Sequence, residues 1–321
     1  MAVPQHGSPP LVRREQGALC TIDAVLYPPM IEYVGTVYRP PSEADSLILQ
    51  ATVGCSYNRC TFCGMYRDRT FRVRKLDDLK GEIAWAALRD SGVRRVFLAD
   101  GDALVARASY LEAILEELRR SFPHLQRVSC YASPQALQAR TVEEMARLAE
   151  LGLTLYYLGI ESGHDRVLAD LDKGVDAAEM VRVANKANAA GVKLSTMILL
   201  GAGGRQLSGA HAIASAEVVN AIQPRYLSTL AMMPVPGTPL FEQVERGEYE
   251  EMEPLELAAE LRTFVADLEL TGTIFRSNHA SNYLVLAGTL PKDKERLLAQ
   301  LDAALSEPAD APFRPEWLRG L

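Results

Sequence analysis

Leu47-Ile48-Leu49-Gln50-Ala51-Thr52-Val53-Gly54-Cys55-Ser56-Tyr57-Asn58-Arg59-Cys60-Thr61-Phe62-Cys63-Gly64-Met65-Tyr66 is a short apolar run that passes, through one glycine, into a loop with three cysteines. The run over 47–53 reads as a buried strand, and the spacing Cys-x4-Cys-x2-Cys behind it reads as a metal site. Iron-sulfur clusters are normally held by four cysteinates, so three of them leave one iron free to bind and activate a small molecule. Openness of that kind implies catalysis.

Outward from this stretch the pattern repeats about six times: a short β-rich run, a turn, then an amphipathic helix. That alternation is the signature of a parallel α/β fold. The further strands are expected at Arg95–Ala99, Arg127–Ala132, Leu153–Ile160, Lys193–Leu200 and Tyr226–Met233. Helix starts are marked by Ser109 before Glu112, Thr141 before Glu144 and Asp176 before Glu179, each a capping oxygen three residues ahead of a carboxylate. Gly152 and Gly191 stop two helices, and Met180, Ala184 and Ala187 make one apolar helix face. Beyond Pro239 come an acidic helical stretch over 255–270, a β-like run at Thr273–Ser277 and a final helix near Lys292–Ala304.

Length and composition set the bounds. With 321 residues and 48% hydrophobic content, one main domain with a substantial core is expected. There is no apolar leader segment and no run of 18 apolar residues, so a soluble, cytoplasmic protein away from the membrane is expected. Five cysteines, three of them clustered, then point to metal binding in a reducing compartment rather than to disulfides. A net charge of −7 gives no bulk attraction to nucleic acid. Arg67, Arg69, Arg72, Arg74 and Lys75 form a local basic run, read either as a solvated face or as a docking patch for an acidic electron donor or an anionic substrate.

Three readings of the cysteines stand side by side. A structural zinc site would draw a fourth ligand from His164 or His279. A [2Fe–2S] carrier of plant type uses the same first spacing and would need Cys130, on an expected strand. The third is a [4Fe–4S] cluster with one open iron, in the loop after the first strand, where α/β barrels carry their catalysis. Either of the first two would make a non-catalytic protein.

The third arrangement resembles the radical S-adenosylmethionine (SAM) superfamily over roughly residues 46–240. The usual motif there is Cys-x3-Cys-x2-Cys with an aromatic just before the last cysteine; Phe62 matches the aromatic, and the first gap is one residue longer here. The resemblance implies an incomplete (βα)6 TIM-type barrel of parallel strands over 46–240, an N-terminal lead-in over 1–45, and a short C-terminal extension over 241–321 that packs on the barrel. It implies an oxygen-sensitive enzyme with a [4Fe–4S] cluster on Cys55, Cys60 and Cys63.

Further landmarks follow in the family's order. Ala99-Asp100-Gly101-Asp102-Ala103 stands where the family binds the methionine amino group of SAM, with Asp100 and Asp102 in place of the usual Gly-Gly-Glu. Leu158 to Leu168 resembles the fourth-strand segment of tRNA methylthiotransferases and oxygen-independent coproporphyrinogen oxidases. By that likeness Glu161 and Lys173 contact the SAM methionine moiety or ribose. Gly201-Ala202-Gly203-Gly204 permits backbone approach to a flat ligand, and Met232-Met233-Pro234-Val235-Pro236-Gly237-Thr238-Pro239 resembles the turn beside the adenine, with Met233 as its contact.

For a small polar substrate the candidates near the strand ends are Ser133, Tyr157 and Ser195, with Asn278, His279, Ser281 and Asn282 closing the mouth. His279 is also read as an acid or base, and Cys130 either as a hydrogen-atom donor facing inward or as a small buried filler. A low-potential donor of flavodoxin or ferredoxin type would supply the electron. The expected outcome is a 5′-deoxyadenosyl radical, with aminocarboxypropyl transfer as the less common route. Cys20 and Cys130 are too few for a second cysteine-rich cluster, which argues against methylthiotransfer.

Overall fold

The computed structural model describes residues 31–320, so Cys20 and residues 1–30 of the lead-in lie outside the described part. In chain order the strands are β1 (Leu47–Gln50), β2 (Thr52–Val53), β3 (Arg72–Val73), β4 (Arg95–Ala99), β5 (Arg127–Tyr131), β6 (Leu153–Glu161), β7 (Lys193–Leu200), β8 (Tyr226–Ala231), β9 (Thr273–Ser277) and β10 (Leu286–Leu290). The helices are α1 (Leu76–Arg89), α2 (Ala108–Ser121), α3 (Pro134–Ala139), α4 (Val142–Glu150), α5 (Asp165–Asp170), α6 (Ala177–Ala189), α7 (Gly204–Ile222), α8 (Pro239–Glu245), α9 (Pro254–Ala266) and α10 (Lys294–Ser306). Eight strands form one sheet in the order β1-β4-β5-β6-β7-β8-β9-β10, parallel except for the last pair, which is antiparallel.

The α/β expectation holds, with two changes. The run over 47–53 breaks at Ala51, because Thr52 and Val53 turn aside to pair antiparallel with Val73 and Arg72. That small hairpin fixes both ends of the cysteine loop. At the other edge, Thr273–Ser277 is a full strand, paired parallel with β8, and β10 follows it. The C-terminal extension therefore continues the sheet as well as packing on it. The central glycine of Leu286-Ala287-Gly288-Thr289-Leu290 hides β10 from a propensity reading.

Local signals account for several boundaries. Thr141 and Glu144 cap each other reciprocally, and the Asp176 carboxylate accepts the Glu179 N–H. Ser109 does not cap: α2 begins two residues earlier than such a cap would start it, with Arg107 at the cap position and no side-chain hydrogen bond. Gly152 and Gly191 end α4 and α6 at φ of 110° and 76°, left-handed conformations that favour glycine.

Strand side chains alternate between two environments. Leu98, Cys130, Tyr156, Leu158, Leu194 and Ile198 point outward into one continuous core shared with the helices. Cys130 thus faces away from the barrel interior and is a buried filler, so its reading as an inward hydrogen-atom donor is corrected. The inward set includes Phe97, Leu155 and Tyr157, with Tyr131 packed against them. Edge-to-face contacts of 5.1 Å for Phe97–Tyr131 and 6.0 Å for Tyr131–Tyr157 lock this aromatic floor.

Below the floor, at the N-terminal ends of the strands, Glu43 closes the barrel. Its buried carboxylate accepts hydrogen bonds from Tyr157 Oη at 2.5 Å and Arg127 Nη2 at 2.7 Å, and from Ser46. At the other end, where the loops gather, the three cysteines of the loop are only half-buried. Among the described residues no helix is long and apolar enough to cross a membrane.

Candidate active site

The cysteine loop follows β1 and β2 at the C-terminal end of the sheet and is stitched down on several sides. Thr61 N–H donates to Leu171 O, Leu240 N–H donates to Thr61 O, and Tyr57 Oη donates to Asp172. Asn58, at φ 47°, donates to Tyr66 O and turns the chain between Cys55 and Cys60. Arg67 lies outside and donates to the carbonyls of Cys60 and Cys63, at 2.6 and 2.8 Å. Of the basic run, Arg69 and Arg74 are not surface cations: Arg69 is tied to Val34 O, Thr36 O and Asp68, and Arg74 to buried Glu82. The docking reading therefore shrinks to Arg67, Arg72 and Lys75.

All three thiols are pushed up by burial, Cys60 to about 11, with Glu161 and the other cysteines adding to the effect and Lys173 opposing it. Thiols so placed keep their protons at neutral pH, and metal binding would release them. Among the described residues no three Cys, His, Asp or Glu converge as ligands of a single ion. One ion would need such convergence; a cluster, whose thiolates take separate irons, does not.

Behind the loop, the end of β4 presents two carboxylates in different states. Asp102 accepts from Ser56 Oγ at 2.7 Å and from Ser133 Oγ at 2.5 Å, so it ties the cysteine loop to the start of α3. Ser133 is in turn the cap of α3, accepting the Ala136 N–H. Neither is spare for a ligand, which corrects the expectation that Asp102 meets the SAM ammonium and Ser133 a substrate. Asp100 is different: Oδ2 accepts from Gln50 Nε2 and Gly54 N–H and lies 3.7 Å from Arg69, whereas buried Oδ1 has no partner among the described residues. A buried acceptor without a donor costs about 1–3 kcal/mol, so this one marks where a donor belongs. Gly101 between them has no room for a Cβ, which would sit 2.6 Å from the Tyr66 ring and 2.9 Å from Cys55 Cβ.

Across the opening, Glu161 ends β6 with φ 66°, strained for a glutamate, at a shift of register against β7. Its carboxylate folds back over Gly159, where a Cβ would meet Oε1 at 1.9 Å, and accepts from Lys173 Nζ at 3.0 Å. Burial works against the Lys173 ammonium, yet Glu161 and Cys60 outweigh it and hold the proton more firmly than usual. Lys173 keeps further N–H donors beyond that single bond. The expected pair is thus assembled, beside Cys60 and Cys63.

The third wall comes from β7 and β8. Phe62 packs against the apolar cluster to which Leu199, Met232 and Leu240 belong. Met232 takes this place, where Met233 was expected to be the contact, because it continues the inward alternation of Ser228 and Leu230. Gly201, at φ 83°, donates its N–H to Glu260 Oε1 at 2.7 Å and accepts from Tyr249 Oη. Burial pushes Glu260 up to about 7 and His211, 3.7 Å away, down to about 4. Glu260, on α9, supports the glycine turn directly, and His211, on α7, stands behind it.

The remaining substrate candidates divide. Ser195 lies on the inward face of β7, opposite Tyr157 and Tyr226. Tyr157 is spent on Glu43 and Ser42, at the far end from the cysteines. In the segment after β9, Asn282 donates to Thr229 O and Ser277 Oγ and accepts from Ala231 N–H. His279 Nδ1 accepts the Ser281 N–H and meets Ser281 Oγ, and Arg314 holds the carbonyls of His279, Ala280 and Asn282. Of the four candidates there, only Asn278 is exposed. These side chains build the segment's own shape rather than a ligand surface, so the reading of His279 as an acid or base loses its support.

Residues 49–204 match the family described as the Radical SAM superfamily. The tRNA-2-methylthio-N(6)-dimethylallyladenosine synthase of Bordetella avium (strain 197N) is 30% identical over 197 residues, 58% of this chain and 40% of that protein. The chain thus spans about 40% of the length of the curated relatives it matches first. Coproporphyrinogen III oxidase (HemN) from Escherichia coli, described as a radical SAM enzyme, aligns with a TM-score of 0.51 at 14% identity, over 69% of this chain and 52% of that one. The radical S-adenosylmethionine methyltransferase TsrM from Kitasatospora setae, solved with cobalamin and a [4Fe–4S] cluster, aligns with a TM-score of 0.51 at 18% identity, over 63% of this chain and 39% of that one. At these identities the structural likeness speaks for the fold.

Proposed function

We propose, from the premise that residues 49–204 place this chain in the radical SAM superfamily, that it is an enzyme cleaving SAM reductively to act on a small polar substrate. When bound, a [4Fe–4S] cluster and SAM, the cofactors of that superfamily, supply a 5′-deoxyadenosyl radical able to abstract an unactivated hydrogen. Cys55, Cys60 and Cys63 would hold the cluster. Asp100 Oδ1 would take the SAM ammonium, Glu161 the ribose hydroxyls, and Lys173 a carboxylate with its spare donors. Phe62, Gly201 and Met232 would flank the adenine, and a low-potential flavodoxin- or ferredoxin-type protein would deliver the electron.

The carrying observation is the unpaired, buried Oδ1 of Asp100 beside a three-cysteine loop. The aromatic floor and the Glu43 plug support it, because a radical needs an interior closed to water on every side but one. The test is anaerobic reconstitution: about four irons per chain and 5′-deoxyadenosine on reduction with SAM are expected. Colourless, zinc-loaded protein that leaves SAM intact would end this reading, and 5′-methylthioadenosine as product would replace it with aminocarboxypropyl transfer.

The likeness to the Bordetella avium synthase favours one second reading, a tRNA substrate. Arg67, Arg72 and Lys75 would then meet phosphate, and filter binding of bulk tRNA that weakens steeply with salt would favour it.

A further inference from the structure

Tyr66 stands three residues past the last cysteine and takes no part in the cofactor contacts expected from sequence. Its side chain is buried, 3% exposed, and among the described residues its hydroxyl has no hydrogen-bond partner. The ring lies against Gly101, the neighbour of Asp100, and one guanidinium links the two side chains: Arg69 Cζ is 5.8 Å from the centre of the Tyr66 ring, and Arg69 Nη1 is 3.7 Å from Asp100 Oδ2. Two buried polar atoms are therefore left unpaired in one corner of the site, an acceptor on Asp100 and a donor on Tyr66, and they do not bond to each other. A ligand that satisfies both must carry a donor and an acceptor. An α-amino-acid head group does so, with an ammonium and a carboxylate on one carbon.

We infer that Tyr66 is a second anchor for the amino-acid end of SAM, donating its phenolic hydrogen bond to the carboxylate while Asp100 accepts from the ammonium. This rests on the proposed function, since it presupposes that SAM is the ligand. It explains why the residue at 101 is glycine: a Cβ there would push the ring away from Cys55 and Asp100. Lys173, on the opposite wall, would reach the same carboxylate from the other side. Tyr66 is a positioning residue, and it holds SAM without touching the bond that breaks.

The test compares wild-type and Y66F protein, cluster-loaded and unreduced, titrated with SAM and with decarboxylated SAM; the melting temperature of each metal-free protein is measured in parallel. Y66F should bind SAM about tenfold more weakly, the loss of one hydrogen bond to a charged group, and should bind the decarboxylated compound as wild type does. Metal-free Y66F should melt no lower than wild type, because the hydroxyl removed has no partner. Equal SAM affinity for the two proteins overturns the inference while leaving the proposed function in place. So does equal weakening toward both ligands, or a lowered melting temperature. Wild-type protein that binds neither ligand sinks the proposed function, and the inference with it.

Discussion

At the end of β8, Asn282 uses its amide to donate twice and accept once, and neither its nitrogen nor its oxygen is left without a partner. At the same end of the sheet, β4 delivers Asp100, one of whose oxygens has no partner among the described residues, and the hydroxyl of nearby Tyr66 has none there either. Both regions are polar, buried and rich in the residue types that bind ligands. The difference is in how each side chain is spent: the Asn282 amide is used up in holding the backbone around it, whereas Asp100 and Tyr66 each keep a buried polar atom that the proposed ligand would pair.

The sharpest way to break that contrast is Cys60→Ala. We expect no cluster and no SAM cleavage, read by iron analysis and by chromatography of the nucleoside products; retained cleavage would remove the ligand assignment. Asn282→Ala is the converse, leaving the Ala231 N–H and the Thr229 carbonyl buried without partners. It should lower unfolding stability by about 3 kcal/mol in denaturant titrations and leave SAM affinity intact. If affinity collapses while stability holds, the segment after β9 is a binding surface after all.

Lys173→Ala should weaken SAM binding by ~1–3 kcal/mol in a calorimetric titration, and an unchanged affinity would make the Lys173–Glu161 pair scaffold instead of site. The smallest effect concerns Glu260→Gln, on the support beneath Gly201. With its folded value raised from 4.5 to about 7, Glu260 stabilises fully below 4.5 and that contribution is lost as pH rises through about 7. His211, depressed from 6.5 to about 4, works the other way, its stability being present above 6.5 and lost as pH falls through 4. His211 is common to both proteins, so E260Q should gain on wild type steadily between pH 4.5 and 7 and then level off. Melting temperatures that track each other across that range would show Glu260 ionised throughout.

The barrel was legible because buried parallel strands need continuous apolar runs, and Arg95–Ala99 and Lys193–Leu200 fall where those runs lie. Leu286–Leu290 escaped, since a strand with glycine at its centre owes its existence to its neighbour across the ladder. In the candidate site, residue type and order singled out the cysteine loop, Asp100, Glu161 and Lys173, which the structure gathers at one end of the sheet. They could not tell Asp100 from Asp102, or Met232 from Met233, because those distinctions depend on hydrogen-bond partners and on which side of a strand end a side chain leaves. Asn278 to Asn282 looked like a binding segment for the same reason. Glu260 and Tyr66 went unassigned, being ordinary residues whose roles come from what the fold places beside them.

Gly159 has no side chain to offer, yet a single methyl there would land on the carboxylate that ends β6. The pose of Glu161 is thus governed sterically from two positions upstream, by vacant volume rather than by attraction. Anyone wishing to move that carboxylate, and with it the contact proposed for the ribose, would do well to begin with that missing carbon, before altering any charge.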